Sequence, residues 1–276
     1  MGILNVTPDS FAEASPRVRA GSPIDADEAV DAALAMEAGG ADLIDVGGES
    51  TRPGADAVTA DEELARILPV IRGLAGRIRV PISVDTYKAD VASAALDAGA
   101  VIVNDISGLH HEPALATVVR DRRAALVLMH TRGRPKTMAQ EAVYRDLVGE
   151  IAAELRESIG CAVSAGVPLD RIVGDPGIGF AKRPEHGYGV LARLPELAAA
   201  IDRPLMVGPS RKSFLRAATG DRPAAERDWG TAAAVTAAVL GGAHIVRVHA
   251  VAEMVQVVKV AEEIRRAAVK GPGVEG

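Results

Sequence analysis

The chain has 276 residues, 48% of them hydrophobic, which is enough for a sizeable core and close to the roughly 250 residues of a single α/β barrel. Its net charge of −6 argues against a nucleic-acid binder dominated by phosphate contacts. One cysteine, Cys161, leaves no intrachain disulfide to form; the start MGILNVTPDSF lacks a signal-peptide pattern, and no run of ~18 apolar residues suggests a membrane span, so a cytoplasmic protein is expected.

Eight short apolar, β-branched runs follow one another: GILNVT from Gly2, LIDVG from Leu43, ISVDT from Ile82, VIVNDI from Val101, ALVLMH from Ala125, IVGDPG from Ile172, PLMVG from Pro204 and IVRVH from Ile245. Near-continuous apolar strands suit a parallel sheet buried on both faces. Between them lie Ala-rich helical patterns. DADEAVDAALAMEAGGA carries acids in its first turn and a Gly pair at its end; YKADVASAALDAGA and LVGEIAAELRESIGCAVSAGV close in a similar way. Acids favour the positive start of a helix, and Gly tolerates the left-handed conformation that ends one. Strand and helix repeated eight times predict an α/β fold, a (β/α)8 TIM barrel. An open doubly wound sheet is the alternative, though it more often holds five to seven strands. No linker is visible, so residues 1–276 are expected to form a single domain, with a frayed tail, KGPGVEG, from Lys270.

In such a barrel the chemistry sits at the C-terminal strand ends. Here nearly all of those ends are polar: Asn5 and Thr7, then Glu49 to Arg52, Asp85, Asn104 and Asp105, His130 after Met129, Asp175, the SRKS turn after Gly208, and Arg247 with His249. Asp85, Asp175 and Asn104 offer acceptors for a flat ligand edge rich in N–H groups. Lys212, Arg247, His249 and Arg52 offer donors and positive charge, joined by hydroxyls at Ser50, Thr51, Ser210 and Ser213. The expected ligand is bipolar, an N–H-rich heterocycle with an anion at its other end. The SRKS turn is expected to open a helix whose free N–H groups favour that anion.

The segments MGILNVTPDSF, DVGGESTRPGA, SVDT, NDISG, DPGIGF, GPSRKSF and RVH, in this order and spacing, resemble the dihydropteroate synthase family from Met1 to about Ile264. The resemblance implies an enzyme that joins 4-aminobenzoate to a 6-hydroxymethyl-7,8-dihydropterin diphosphate and releases pyrophosphate with Mg2+ present. It implies that Asp85, Asn104, Asp175 and Lys212 hold the pterin in a slot lined by Ile106, Met129, Phe180 and Gly208. Asn5, Arg52, Arg247 and His249 would handle the diphosphate, Asn5 also its metal. Ser50, Thr51, Arg52 and Pro53 would cover the aminobenzoate, with Ser213 near its carboxylate. Asp85, Lys212, Asn5, Arg247 and His249 are the catalytic candidates, and a homodimer is implied, with the apolar stripe of VAEMVQVVKVAEEI as a possible face or equally core. The chain departs from the family pattern in the loop AEASPRVRAGSP after Phe11, in Ala250 where an aspartate is usual, in Gly187 where an asparagine is usual, and in MHTRGRPKTMA.

Plainer readings stand beside these. Asp85 or Asp175 alone could cap a helix, and Asn5 could satisfy backbone at a strand end. His130 and the HHE of His110 to Glu112 read as solvated loop, because adjacent histidines point apart and lack a third ligand. RGRPK from Arg132 reads as a solvated basic loop, and Cys161 as helix filler. DPGIGF lacks a third glycine and a later ribose acid, so its glycines are expected to let the backbone approach a flat ring. Three rival functions remain: a methyltetrahydrofolate methyltransferase, a non-catalytic pterin-binding paralogue, and a Schiff-base aldolase. The intact GGESTRPG and NVTPDSF segments, the SRKS turn, and the position of Lys212 beyond its strand weigh against them.

Overall fold

Each apolar run carries a strand, and each strand stops where the run turns polar or meets glycine. In the computed structural model, which describes residues 1–7, 25–50, 55–134 and 136–270, the strands are β1 (Gly2–Asn5), β2 (Ile44–Gly47), β3 (Ile82–Asp85), β4 (Ile102–Asp105), β5 (Ala125–Met129), β6 (Ile172–Asp175), β7 (Met206–Val207) and β8 (Ile245–Val246). The helices are α1 (Ala26–Ala38), α2 (Ala60–Leu74), α3 (Ala89–Asp97), α4 (Leu115–Asp121), α5 (Leu147–Ser164), α6 (Pro184–Ala192), α7 (Leu194–Ile201), α8 (Arg216–Thr219), α9 (Asp228–Leu240) and α10 (Val251–Lys270). The loop after Phe11, the segment Thr51 to Pro53 and the tail beyond Lys270 lie outside the described residues.

β1 to β6 pair in chain order, all parallel, and β7 pairs with β8. Single parallel bridges, Gly174 to Leu205 and Gly2 to Val248, join the two arcs. At the second of these Ile3 N donates to Val248 O at 3.0 Å and Val248 N to Met1 O at 3.0 Å. The ring therefore closes, as an eight-stranded parallel barrel with its helices outside.

Strand alternation decides what each face carries. Ile44, Val46, Val84, Val103, Leu126, Leu128 and Ile172 point outward into the core shared with the helices. Met1, Val127 and Met206, with Leu43, Ile102, Val173 and Ile245 packed against them, point inward and plug the lower barrel. Two residues further along the same strands come Asp45, Asn104, Met129, Asp175, Gly208 and Arg247. The apolar plug is thus the base on which a mostly polar layer stands.

The helices begin where sequence chemistry places them. Asp25 caps α1 by accepting from Asp27 N at 2.9 Å, and Thr59 with Glu62 forms a capping box on α2. Gly40, at φ 95°, turns the chain out of α1 in a conformation other residues resist. One expectation fails. The SRKS turn opens only a 3-10 turn (Ser213–Leu215) and the four-residue α8, and the long helix after β7 starts at Asp228. Arg211, at φ 57°, instead turns its guanidinium to Asp228, with two hydrogen bonds of 2.8 and 2.7 Å. Among the described residues no helix is long and apolar enough to cross a membrane.

Candidate active site

Five of the sequence-assigned residues converge above the plug. Arg247 Nη2 donates to Asp85 Oδ2 at 2.7 Å, and Arg247 Nε donates to Asp45 Oδ2 at 2.6 Å. Asn104 Nδ2 donates to the same Asp45 oxygen at 2.9 Å. The register explains the cluster: Asp45 lies level with Ser83 and Gly47 with Asp85, while Asp85 lies level with Asn104. Gly47 leaves room for this, since a Cβ there would come within 3.3 Å of the Asp85 Cβ.

Across the cup, Asp175 is buried and accepts from Gly177 N at 2.7 Å through Oδ1. Lys212 donates to the Ile178 carbonyl and lies 4.3 Å from the centre of the Phe180 ring. The charges of Asp175, Arg247 and Asp85 all act on the Lys212 ammonium. Met129 and Ile106 are buried and Phe180 half-buried. The helix-cap alternative fails for Asp85, which is held by Arg247, while Lys88 occupies the N-cap of α3. Asp175 closes a turn rather than a helix.

Burial sets the electrostatics. It pushes the Asp85 carboxyl up to about 7 against the pull of Arg247, with Asp45 adding repulsion. Burial likewise lowers Lys212 to about 8, offset in part by Asp175. Desolvation opposes the charge of Arg247, yet Asp45 and Asp85 carry its guanidinium above the ordinary value. Among the described residues, three buried polar atoms in this neighbourhood have no hydrogen-bond partner: Asp45 Oδ1, Asn104 Oδ1 and Ser83 Oγ. An unmet buried acceptor costs about 1–3 kcal/mol, so such atoms fit a ligand's N–H groups better than a finished scaffold.

At the rim the residues separate. Ser210 Oγ lies 2.9 Å from His249 Nδ1 and accepts from His249 N at 3.2 Å, which ties the end of β8 to the turn after β7. Asn5 and Ser50 are half-buried, and Ser213 is exposed. Thr51, Arg52 and Pro53 lie outside the described residues. Glu49 turns away to Lys88 and to Tyr87 Oη (3.0 Å) and is scaffold. Asp105, on the outer face, accepts from Ser107 N (2.7 Å) and Leu109 N (2.6 Å).

Three plainer readings are corrected. His130 is buried rather than solvated: its Nε2 donates to Glu154 at 3.0 Å and its Nδ1 accepts from Lys182 at 2.8 Å. Arg132 is likewise no free basic loop. It pairs with Glu150 (2.8 Å) and Glu154 and stacks 4.2 Å from the Tyr144 ring centre. The DPGIGF glycines also answer to the protein itself. A Cβ on Gly177 (φ 66°) would fall 2.0 Å from the His130 carbonyl oxygen, and one on Gly179 would fall 2.9 Å from Lys212 Cδ. His110 is exposed as expected, whereas His111 is half-buried, edge-on to Tyr87.

Sequence reasoning missed Asp45 and Lys182. Asp45 lay in plain view as a charge set between Ile44 and Val46 early in an apolar strand. Lys182 follows the DPGIGF turn and gave no signal before α5 and the end of β5 were brought beside it.

Cups of this kind on parallel barrels belong to enzymes, and residues 1–249 match the family model described as pterin binding enzyme. A dihydropteroate synthase from Synechocystis is 46% identical over 96% of this chain and 90% of its own length. The Clostridium difficile dihydropteroate synthase crystallised in the presence of pteroic acid superposes with a TM-score of 0.88, at 40% identity and 96% coverage of both chains. The Yersinia pestis enzyme in complex with a sulfonamide drug gives 0.89, at 41% identity, with 96% of this chain and 94% of that one covered. The chain belongs to the pterin-binding enzymes, and its function within them is that of a dihydropteroate synthase, a transferase of folate synthesis.

Proposed function

We propose that the whole chain acts as one catalytic unit that condenses 4-aminobenzoate with 6-hydroxymethyl-7,8-dihydropterin diphosphate, giving 7,8-dihydropteroate and pyrophosphate. The observation that carries this reading is the meeting of Asp85, Asn104, Asp175, Lys212 and Arg247 in one cup with unmet buried acceptors. A pterin presents a flat edge of ring N–H and amino groups beside a carbonyl. Asp175 and Asn104 take the N–H edge, and the Lys212 ammonium takes the carbonyl, with Ile106, Met129, Phe180 and Gly208 lining the slot. Each charge-assisted hydrogen bond contributes about 1.5–3 kcal/mol.

The diphosphate then points to the rim, toward Asn5, Arg247, His249 and Arg52. Departure of the diphosphate breaks the C–O bond and leaves a pterin methylene cation, which the Asp85 carboxylate stabilises. The arylamine nitrogen attacks that carbon and afterwards loses its proton. Ser50, Thr51, Arg52, Pro53 and Ser213 hold the aminobenzoate, the half to which a sulfonamide is isosteric. No three-ligand acidic or histidine cluster exists among the described residues. The neutral oxygen of Asn5 at the end of β1 suits an ion such as Mg2+, which keeps waters and substrate phosphates as its other ligands. When bound, that ion supplies charge neutralisation to the leaving diphosphate.

A cytoplasmic homodimer completes the reading. Val260 and Ile264, one helical turn apart on α10, are 62% and 49% exposed, while Val251, Met254 and Ala261 are buried. The stripe on this helix therefore divides between core and an apolar face suited to a second copy. The deciding assay mixes the protein with pterin diphosphate, 4-aminobenzoate and Mg2+ and measures pyrophosphate and dihydropteroate. Product in equal amounts is expected; pterin binding with no product overturns the catalytic reading.

A further inference from the structure

Asp45 is the one fully buried acid of the cup without a role in the reading above. It sits on the inner face of β2, level with Ser83 and one inward-facing step below the Gly47–Asp85 pair. A carboxylate taken out of water at such a place costs several kcal/mol unless it is paired and hydrogen-bonded. Its Oδ2 is shared by Arg247 Nε (2.6 Å) and Asn104 Nδ2 (2.9 Å), and its Oδ1 has no partner among the described residues. Arg247 therefore spans two acids with neighbouring nitrogens, Nε on the deeper Asp45 and Nη2 on Asp85 nearer the mouth.

The two contacts differ in mobility. Nε adjoins the aliphatic stem of the arginine, and Nη2 lies at the outer edge of the guanidinium, so a small rotation moves Nη2 far more than Nε. While Nη2 rests on Asp85, it neutralises the carboxylate assigned to the pterin cation. An approaching anion competes for that same N–H edge.

We propose that Asp45 is a positioning residue: it holds Arg247 by Nε and Asn104 by its amide, so that Nη2 can leave Asp85 for the substrate's anionic group while the guanidinium stays anchored. Substrate arrival thus uncovers Asp85 and recruits Arg247 in one movement. Without the anchor, Arg247 would settle wholly on Asp85, and Asn104 would lose the contact that fixes its amide. This inference deepens the proposed function and rests on it.

Two measurements test it. In the full chain labelled with 15N-arginine, the Arg247 Nε–H resonance, assigned by its loss in Arg247→Lys, is expected to exchange slowly both free and with magnesium pyrophosphate, while the Nη signals shift. Rapid Nε–H exchange in the free protein, or loss of protection when pyrophosphate binds, overturns the proposal. This readout needs no Asp45 variant to fold and no turnover. Second, Asp45→Asn is expected to lower kcat by ~10–100-fold with the KM for 4-aminobenzoate within about twofold. Placed in the Arg247→Lys background it should cost less than about threefold more, because the two residues act as a unit. Fully additive losses overturn the proposal. Absence of product from the wild-type protein would sink the proposed function instead, and the exchange measurement would still decide the Asp45 contact.

Discussion

Two charge clusters in this barrel invite comparison and differ in completeness. Behind β5, His130, Glu154, Arg132 and Lys182 satisfy one another: both ring nitrogens of His130 are partnered, and Arg132 reaches Glu150, Glu154 and the Val143 carbonyl. Inside the cup, Asp45, Asp85, Asn104 and Arg247 are linked as tightly, yet Asp45 and Asn104 each keep one buried oxygen unmatched. A closed network spends its polarity on holding elements together. An open one holds polarity in reserve for a molecule that arrives later. Between these two clusters the unmet atoms mark the difference, although among the described residues Glu63 Oε1 and His111 Nδ1 are unmet outside the cup as well.

The sharpest way to break that comparison is at Asp85. Asp85→Asn is expected to lower kcat by ~10²–10³-fold while pterin affinity stays within a few-fold, because the cation exists only along the reaction path. Equal losses in both would remove its cation-stabilising role. The pH profile carries the same signature. With Asp85 at about 7 and Lys212 at about 8, kcat/KM should rise as Asp85 ionises and fall as Lys212 loses its proton. Asp85→Asn should abolish the rising limb. The sign for stability is opposite: a carboxyl held above its ordinary value binds more protons folded than unfolded, so the fold loses stability as pH climbs through about 7.

The scaffold cluster should answer in the other currency. Glu154→Ala leaves His130 and Arg132 without their shared carboxylate and is expected to cost on the order of 2 kcal/mol, roughly 4–8 °C in Tm, with kcat/KM within about threefold. A large loss of turnover at unchanged Tm would contradict the division. The smallest effect is expected at Ala250. This residue precedes α10, and its carbonyl accepts from Met254 N at 3.0 Å, which marks it as the helix cap. Ala250→Asp should add about 1 kcal/mol by accepting from the first-turn N–H groups, read as a rise in Tm.

What the sequence disclosed follows from what is local. Strand order, the polar strand ends and the convergence of Asp85, Asn104, Asp175, Lys212 and Arg247 rest on period-two alternation and a repeated unit, both of which are written in the chain. His130 was misread because its surroundings come from α5 and from the turn beyond β6, far off in sequence. Asp45 was passed over because an acid inside an apolar run counts as strand until its partner across the barrel is known. Gly187 shows the same limit: a Cβ there would stand 3.1 Å from the Phe214 ring, a neighbour 27 positions away that no local pattern names.

The barrel's two joins also divide its labour. The six-strand arc supplies Asp45, Asp85, Asn104 and Asp175, and the two-strand arc supplies Gly208, Arg247 and His249, with one bridge at each boundary among the described residues. Loosening along both boundaries would part the anionic wall from the cationic one. Arg247, reaching across to Asp45 and Asp85, acts as a clasp between the halves; the residue proposed to meet the leaving group also helps keep the ring shut.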